Sequence, residues 1–201
     1  MKTTFYLIRH GDKHQVPPDP GLNDLGHKQA QATAQYLKQF PITQVIASPL
    51  KRTQETAQYI ADALQLFIET DARLRERLNW GDDPTQSRED FIDLWKQTSK
   101  DRAFTPHIGN SSQSAGRGFE QIVTELSQNE NQHIALITHG GVIADFLRNV
   151  FPESELGALV TKYPDGFDYE VRECSVTQLV VTDKIELIRA NDITHLEPDT
   201  P

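Results

Sequence analysis

Two apolar runs in this chain end in the same way. Leu7-Ile8-Arg9-His10-Gly11 lies near the start, and Ile137-Thr138-His139-Gly140-Gly141 lies far along the sequence. Runs rich in aromatic and β-branched residues, stopped by glycine, read as strands. Each histidine is therefore expected at the carboxyl end of a strand. In an open α/β sheet that edge is where ligands bind. The fold must place both strand ends on one sheet.

The segments between them supply the helices such a sheet needs. Residues 3–8 form the first expected strand, and Pro17, Pro18, Pro20 and Gly21 enforce a loop after it. Asn23 or Asp24 can cap a helix over about residues 25–40, with Ala30, Ala34 and Leu37 as its packing stripe and Pro41 ending it. Val45-Ile46-Ala47 reads as a short buried strand. Ser48-Pro49 has the form of a helix N-cap followed by proline at the first helical position. Leu50, Ala57, Ile60 and Leu64 mark one face of the helix that follows.

Residues 81–118 are more polar and broken by Pro84, Pro106, Gly109, Gly116 and Gly118, with a short helix suggested by Phe91, Ile92, Leu94 and Trp95. This stretch reads as a lid or substrate-facing insertion within a single domain spanning 1–201. Phe119, Ile122, Val123 and Leu126 have helical spacing. His133–Thr138 is a strand, and Val142, Ile143, Phe146, Leu147 and Val150 form an apolar helix face. Val176–Val181 and Ile185–Ile188 flank Asp183-Lys184 as a hairpin, and the tail after Leu196 is expected to fray. The order predicts a three-layer α/β/α sandwich around a mostly parallel sheet.

Charge narrows the partners. The chain has 201 residues and a net charge of −9, which argues against nucleic acid. An acidic protein that binds an anion must gather its cations locally. Membrane attachment is not expected, since no apolar stretch approaches spanning length and Arg9 and His10 interrupt the short N-terminal run. One cysteine, Cys174, fits a reducing cytoplasm, and it reads as a buried small apolar residue. Oligomeric state is not readable.

The chemistry-bearing residues converge on phosphate. A neutral imidazole at His10 can attack phosphorus, and Arg9 beside it offers a planar cationic fork. Arg52 falls in the first turn of the helix after Ser48-Pro49, where a cation is disfavoured unless an anion sits nearby. The turn through His139 and Gly140 leads into a helix whose backbone N–H groups can meet an anion. Glu76, in Leu74-Arg75-Glu76-Arg77, can act as a proton donor, though pairing with Arg75 or Arg77 at the surface explains it equally. Ser111 to Ser114 with Arg117 reads first as helix capping.

Four motifs in order resemble the histidine phosphatase superfamily, the phosphoglycerate mutase-like group. They are Arg9-His10-Gly11, the run from Ser48 to Ala57, Leu74-Arg75-Glu76, and Thr138-His139-Gly140-Gly141. Leu22-Asn23-Asp24-Leu25-Gly26 resembles the start of that family's first helix, and Asn191 to Leu196 resembles a motif of its phosphatase members. The resemblance implies a phosphorylated nucleophile at His10, a phosphate pocket of Arg9, Arg52, His139 and Gly140, and a proton donor at Glu76. It implies catalysis without metal or cofactor on a small phosphorylated metabolite. Two stretches depart from the family pattern: Asp12-Lys13-His14, where small polar residues are usual after the first position, and Arg77 to Asp83.

The leading expectation is a metal-independent phosphomonoesterase. A phosphoglycerate mutase-type transfer needs the same phosphohistidine, but the resemblance implies a larger insertion and a longer tail for it. A phospho-ligand binding module with weakened catalysis is the non-enzymatic alternative. A metallohydrolase built on His10 and His139 is disfavoured, because Arg9 would repel the metal.

Overall fold

The computed structural model describes residues 2–129, 131–156, 159 and 169–196. A six-stranded sheet forms its centre. In chain order the elements are β1 (Thr3–Arg9), α1 (Asp24–Leu37), β2 (Gln44–Ala47), α2 (Lys51–Leu64), β3 (Ile68–Thr70), α3 (Arg88–Lys100), α4 (Ser112–Leu126), β4 (His133–Thr138), α5 (Gly140–Val150), β5 (Val176–Val181) and β6 (Ile185–Asp192). The strand order is β3-β2-β4-β1-β5-β6. β3, β2, β4 and β1 run parallel, and β5 and β6 add an antiparallel hairpin to the edge.

Strand alternation makes the layers. In β1, Phe5 and Leu7 enter one core cluster with Phe119, Phe146 and Leu147 of α4 and α5. Tyr6 and Ile8 enter the other with Ala34 and Leu37 of α1 and Ala57 and Ile60 of α2. Both faces of β1 are thus buried, which is why its stretch from Phe5 to Ile8 is continuously apolar instead of alternating with polar residues. Each fully buried Leu, Ile or Phe contributes about 1.5–3 kcal/mol to holding the layers together. The expected three-layer sandwich is the observed one.

Local expectations fared unevenly. Asn23 caps α1, its side chain accepting from the Gly26 N–H at 2.9 Å. Gly11 and Gly26 let the loop after β1 press on that helix, since a Cβ on Gly26 would lie 1.9 Å from the Asp12 carbonyl oxygen. α1 stops at Leu37, before the residues closest to Pro41, in a turn closed by the Phe40 N–H on the Leu37 carbonyl. Ser111 caps α4 as expected. Ser48-Pro49 is corrected: the N-cap of α2 is Leu50, with no side-chain cap. Asp19 fills that place from a distant loop, its carboxylate accepting the Lys51 N–H at 3.0 Å. Residues 81–118 hold α3 and the first residues of α4. The tail expected to fray lies outside the described residues.

Candidate active site

Register brings the motif residues together. β1 and β4 pair with Arg9 opposite Thr138, and the His10 N–H continues the ladder to the Thr138 carbonyl at 3.0 Å. On the other side of β4, the Ser48 N–H reaches the Ile137 carbonyl at 3.0 Å. His10, His139 and Ser48 therefore leave three neighbouring strands at one sheet edge.

His10 is only 4% exposed. Its Nδ1 donates to the Gly11 carbonyl at 2.7 Å, which fixes the tautomer and leaves Nε2 as the acceptor. Arg52 Nε donates to that Nε2 at 3.2 Å. Burial, reinforced by Arg52 and Arg9, holds the His10 imidazolium well below its ordinary pKa, so the ring is neutral at physiological pH. His139 is fully buried, its ring centroid 5.2 Å from that of His10. Its Nε2 lies 2.8 Å from Ser48 Oγ, which is why Ser48 serves the site and not the helix. Its Nδ1 has no hydrogen-bond partner among the described residues. Burial, then Arg52 and His10, keep it neutral as well.

The arginines are anchored from unexpected directions. Arg9 pairs with Glu173 at 2.5 Å and donates to the Val171 carbonyl, while its buried Nε has no partner among the described residues. Arg52 is 3% exposed, donates to Asn79 Oδ1 at 3.2 Å and lies 3.7 Å from Asp19. Asp19 is thus one anion that compensates the cation in the first turn of α2.

Glu76 does not pair with its neighbours. Arg75 is bound to Asp82, and Arg77 turns inward to a buried ion pair with Asp145 at 2.7 Å. Glu76 Oε2 accepts the Gly141 N–H at 3.0 Å and Oε1 the Arg77 N–H at 3.1 Å. Part of the α5 N-terminus expected to be open to an anion is therefore occupied by Glu76. Asp12 is engaged elsewhere, accepting from Asn23 at 2.7 Å.

These groups meet at a cavity of about 580 Å³ whose wall includes Arg9, His10, Arg52, Glu76, Gly140 and Gly141. His139 stands behind His10 and is not part of the wall. Lys13, Trp80, Arg88, Phe91 and Trp95 complete other parts of it. Chemically, the part of the wall around His10 offers a neutral imidazole with one unprotonated nitrogen, the guanidiniums of Arg9 and Arg52, and the carboxyl group of Glu76. That set suits transfer of a phosphoryl group. Sequence reasoning missed Asn79, Asp19 and Glu173 as anchors; their partners are far away in the chain, and no local pattern marks them. Among the described residues no group of three or more His, Cys, Asp or Glu is arranged to hold a metal ion, and no helix is long and apolar enough to cross a membrane.

The comparisons agree with this geometry. The family model of the histidine phosphatase superfamily, branch 1, matches residues 5–192. A probable phosphoglycerate mutase GpmB of Yersinia pestis is 45% identical over 83 residues, covering 38% of this chain and 38% of that protein. The chain thus spans about two fifths of the length of the curated relatives it matches. Among solved structures, the mycobacterial glucosyl-3-phosphoglycerate phosphatase superimposes with a TM-score of 0.75 at 23% identity, over 96% of this chain and all of the other. YhfR of Bacillus stearothermophilus gives 0.74 at 22%, over 97% and 100%. The Entamoeba histolytica phosphoserine phosphatase in complex with 3-phosphoglyceric acid gives 0.71 at 25%, over 97% and 100%. With the model match covering nearly the whole chain, this protein belongs to the histidine phosphatase superfamily, branch 1.

Proposed function

We propose that this protein is a phosphomonoesterase that works through a phosphohistidine on His10. One observation carries the reading most. His10 is neutral, its Nδ1–H is tied to the Gly11 carbonyl, and its remaining nitrogen faces the arginine-lined cavity. A phosphate ester entering there draws the Arg52 N–H groups onto its oxygens and frees the Nε2 lone pair. Nε2 attacks phosphorus, the bond from phosphorus to the ester oxygen breaks, and Glu76 gives that oxygen a proton. Arg9 and Arg52 offset the charge on the equatorial oxygens. Water then attacks the phosphohistidine with the Glu76 carboxylate as base, releasing inorganic phosphate and restoring neutral His10. No step requires a metal or cofactor.

His139 supports the pocket from behind His10, and Gly140 and Gly141 bring the start of α5 to its wall. We assign residues 81–118, through α3, the role of the substrate-facing segment, since Phe91, Ile92 and Trp95 line the same cavity. The substrate is a small phosphorylated metabolite. Support comes from relatives named as phosphatases and as a probable phosphoglycerate mutase. The mutase reading shares the first half-reaction and differs only in the acceptor.

A screen over phosphorylated metabolites, with trapping of an acid-labile, base-stable phosphoenzyme, tests the proposal. Phosphate release with label on His10 supports it. Isomerisation of phosphoglycerate without phosphate release favours the mutase, and phosphate binding without turnover favours a binding module.

A further inference from the structure

α3 turns one face to the cavity. Arg88, Phe91, Ile92 and Trp95 all line it, at the i, i+3, i+4, i+7 spacing of a single helix stripe. Opposite, the loop after β1 contributes Lys13 and Val16 to the same wall. The cavity therefore has a second character beside its phosphate end: apolar and aromatic surface framed by two cations.

Those cations are not neutralised. Neither the Lys13 ammonium nor the Arg88 guanidinium makes a hydrogen bond or ion pair with a described residue. The carboxylates that share the wall are elsewhere engaged or more exposed. Glu173 pairs with Arg9, Glu76 takes the Gly141 and Arg77 N–H groups, and Glu170 is exposed between the core residues Tyr169 and Val171. Lys13 is half-buried, and its pKa is lowered to about 8, first by burial and then by Arg52, Arg9 and Arg88, against the opposing pull of Asp12. An unpaired, partly desolvated lysine among three arginines is costly unless an anion completes it, even though the protein as a whole is acidic. One phosphoryl group already satisfies Arg9 and Arg52. The remaining two cations stand over an apolar wall that a bare phosphate cannot fill.

We infer that Lys13 and Arg88 form a second anion subsite, and that the natural substrate is a phosphomonoester whose departing part has a flat apolar body and its own anionic group. The inference rests on the proposed phosphomonoesterase reading for the word substrate, but the subsite itself is a matter of binding. The body lies along Phe91, Ile92 and Trp95. The second anion, a carboxylate or another phosphate, bridges Lys13 and Arg88.

Non-hydrolysable ligands test the subsite apart from catalysis. Calorimetric affinities are measured for phenylphosphonate, 4-carboxyphenylphosphonate and 1,4-phenylenediphosphonate. The intact protein is expected to bind at least one of the two doubly acidic ligands about tenfold or more tightly than phenylphosphonate. Which of them wins identifies the anion. Lys13→Met and Arg88→Met should each move that ratio toward one, while Lys13→Arg should keep it. A ratio within about twofold in the unsubstituted protein, or one unchanged in both methionine variants, overturns the inference. Turnover of phenyl phosphate with label on His10 reports on the phosphomonoesterase reading separately. Its loss with the affinity ratio intact would discard that reading and keep the subsite.

Discussion

Arg52 Nε and His10 Nε2 lie 3.2 Å apart, so a guanidinium rests on the one His10 ring nitrogen that is not tied to the backbone. Burial, then Arg52 and Arg9, keep the imidazole neutral, and the contact holds the proposed phosphate-binding cation against the proposed nucleophile. Both residues are buried, so neither relies on solvent for its orientation. The Gly11 carbonyl completes the arrangement by holding the opposite nitrogen.

His10→Ala should abolish turnover and phosphoenzyme formation while leaving the fold intact, because the ring bonds only to Gly11 and Arg52 through its nitrogens. Circular dichroism and phosphate-release assays check this together. Near-native turnover by a folded variant would falsify the phosphohistidine mechanism.

Glu76→Gln should slow esters with poor leaving groups by about 10²–10⁴-fold and activated aryl phosphates far less in the phosphorylation step, since only the former need a proton as the bond breaks. The structure removes the competing surface-pair account, with Arg75 on Asp82 and Arg77 on Asp145. Single-turnover rates on alkyl and nitrophenyl phosphates decide. Small and equal losses on both would refute the acid role.

Stability should fall with pH below about 6.5 through the buried histidines. Burial, with Arg52 and Arg9, lowers the folded pKa of His10 well below its ordinary value, so the unfolded chain takes up that proton first. The stability is present above pH 6.5 and is lost as pH falls, at up to about 1.36 kcal/mol per unit. Asp145 acts the opposite way, because burial raises its carboxyl from 3.8 to about 6. Comparing His10→Asn with the parent isolates one group. Between pH 7 and 5.5 the parent should lose about 1 kcal/mol more in denaturant titrations. Equal losses would show that His10 charges freely in the folded state.

The Arg77–Asp145 pair is fully buried and also holds α3, since Arg77 donates to Ser99 and lies 4.0 Å from the centroid of the Trp95 ring. Asp145→Leu should cost about 3–5 kcal/mol by leaving the guanidinium uncompensated. Adding Arg77→Met should recover much of that loss, as the double variant has no buried charge left unpaired. Additive losses would mean that the cost lies in packing and not in the charge.

The sequence was most legible where one local pattern carries the structure. The apolar runs of β1 and β4 fixed the sheet edge, and their glycines placed His10 and His139 at its end. Asn23 and Ser111 disclosed two caps through residue type alone. β3 escaped notice because its three residues are too short for any periodicity. Ser48-Pro49 misled because a serine before proline resembles a cap, yet its hydroxyl is taken by His139 from a strand 91 positions away. Likewise Glu173, 164 positions from Arg9, shows its role only after β5 folds beside β1. Contacts made across the sheet leave no trace in spacing.

Gly141 offers the sharpest test of how Glu76 is held. A Cβ there would lie 2.5 Å from Glu76 Oε1 and 2.5 Å from Trp95 Cη2, well inside contact distance. Both obstacles are ends of side chains, so Gly141→Ala should leave α5 in place and displace the carboxylate and the indole. Alanine also suits a helix better than glycine by about 0.5–1 kcal/mol, which offsets part of the crowding in stability. The variant should therefore melt within a few degrees of the parent and yet lose activity. Its loss should share the signature of Glu76→Gln, greater for alkyl than for aryl phosphates. Full activity on alkyl phosphates with the fold unchanged would show that proton transfer does not depend on the place Glu76 holds against Gly141, and the acid would have to be sought elsewhere on the cavity wall.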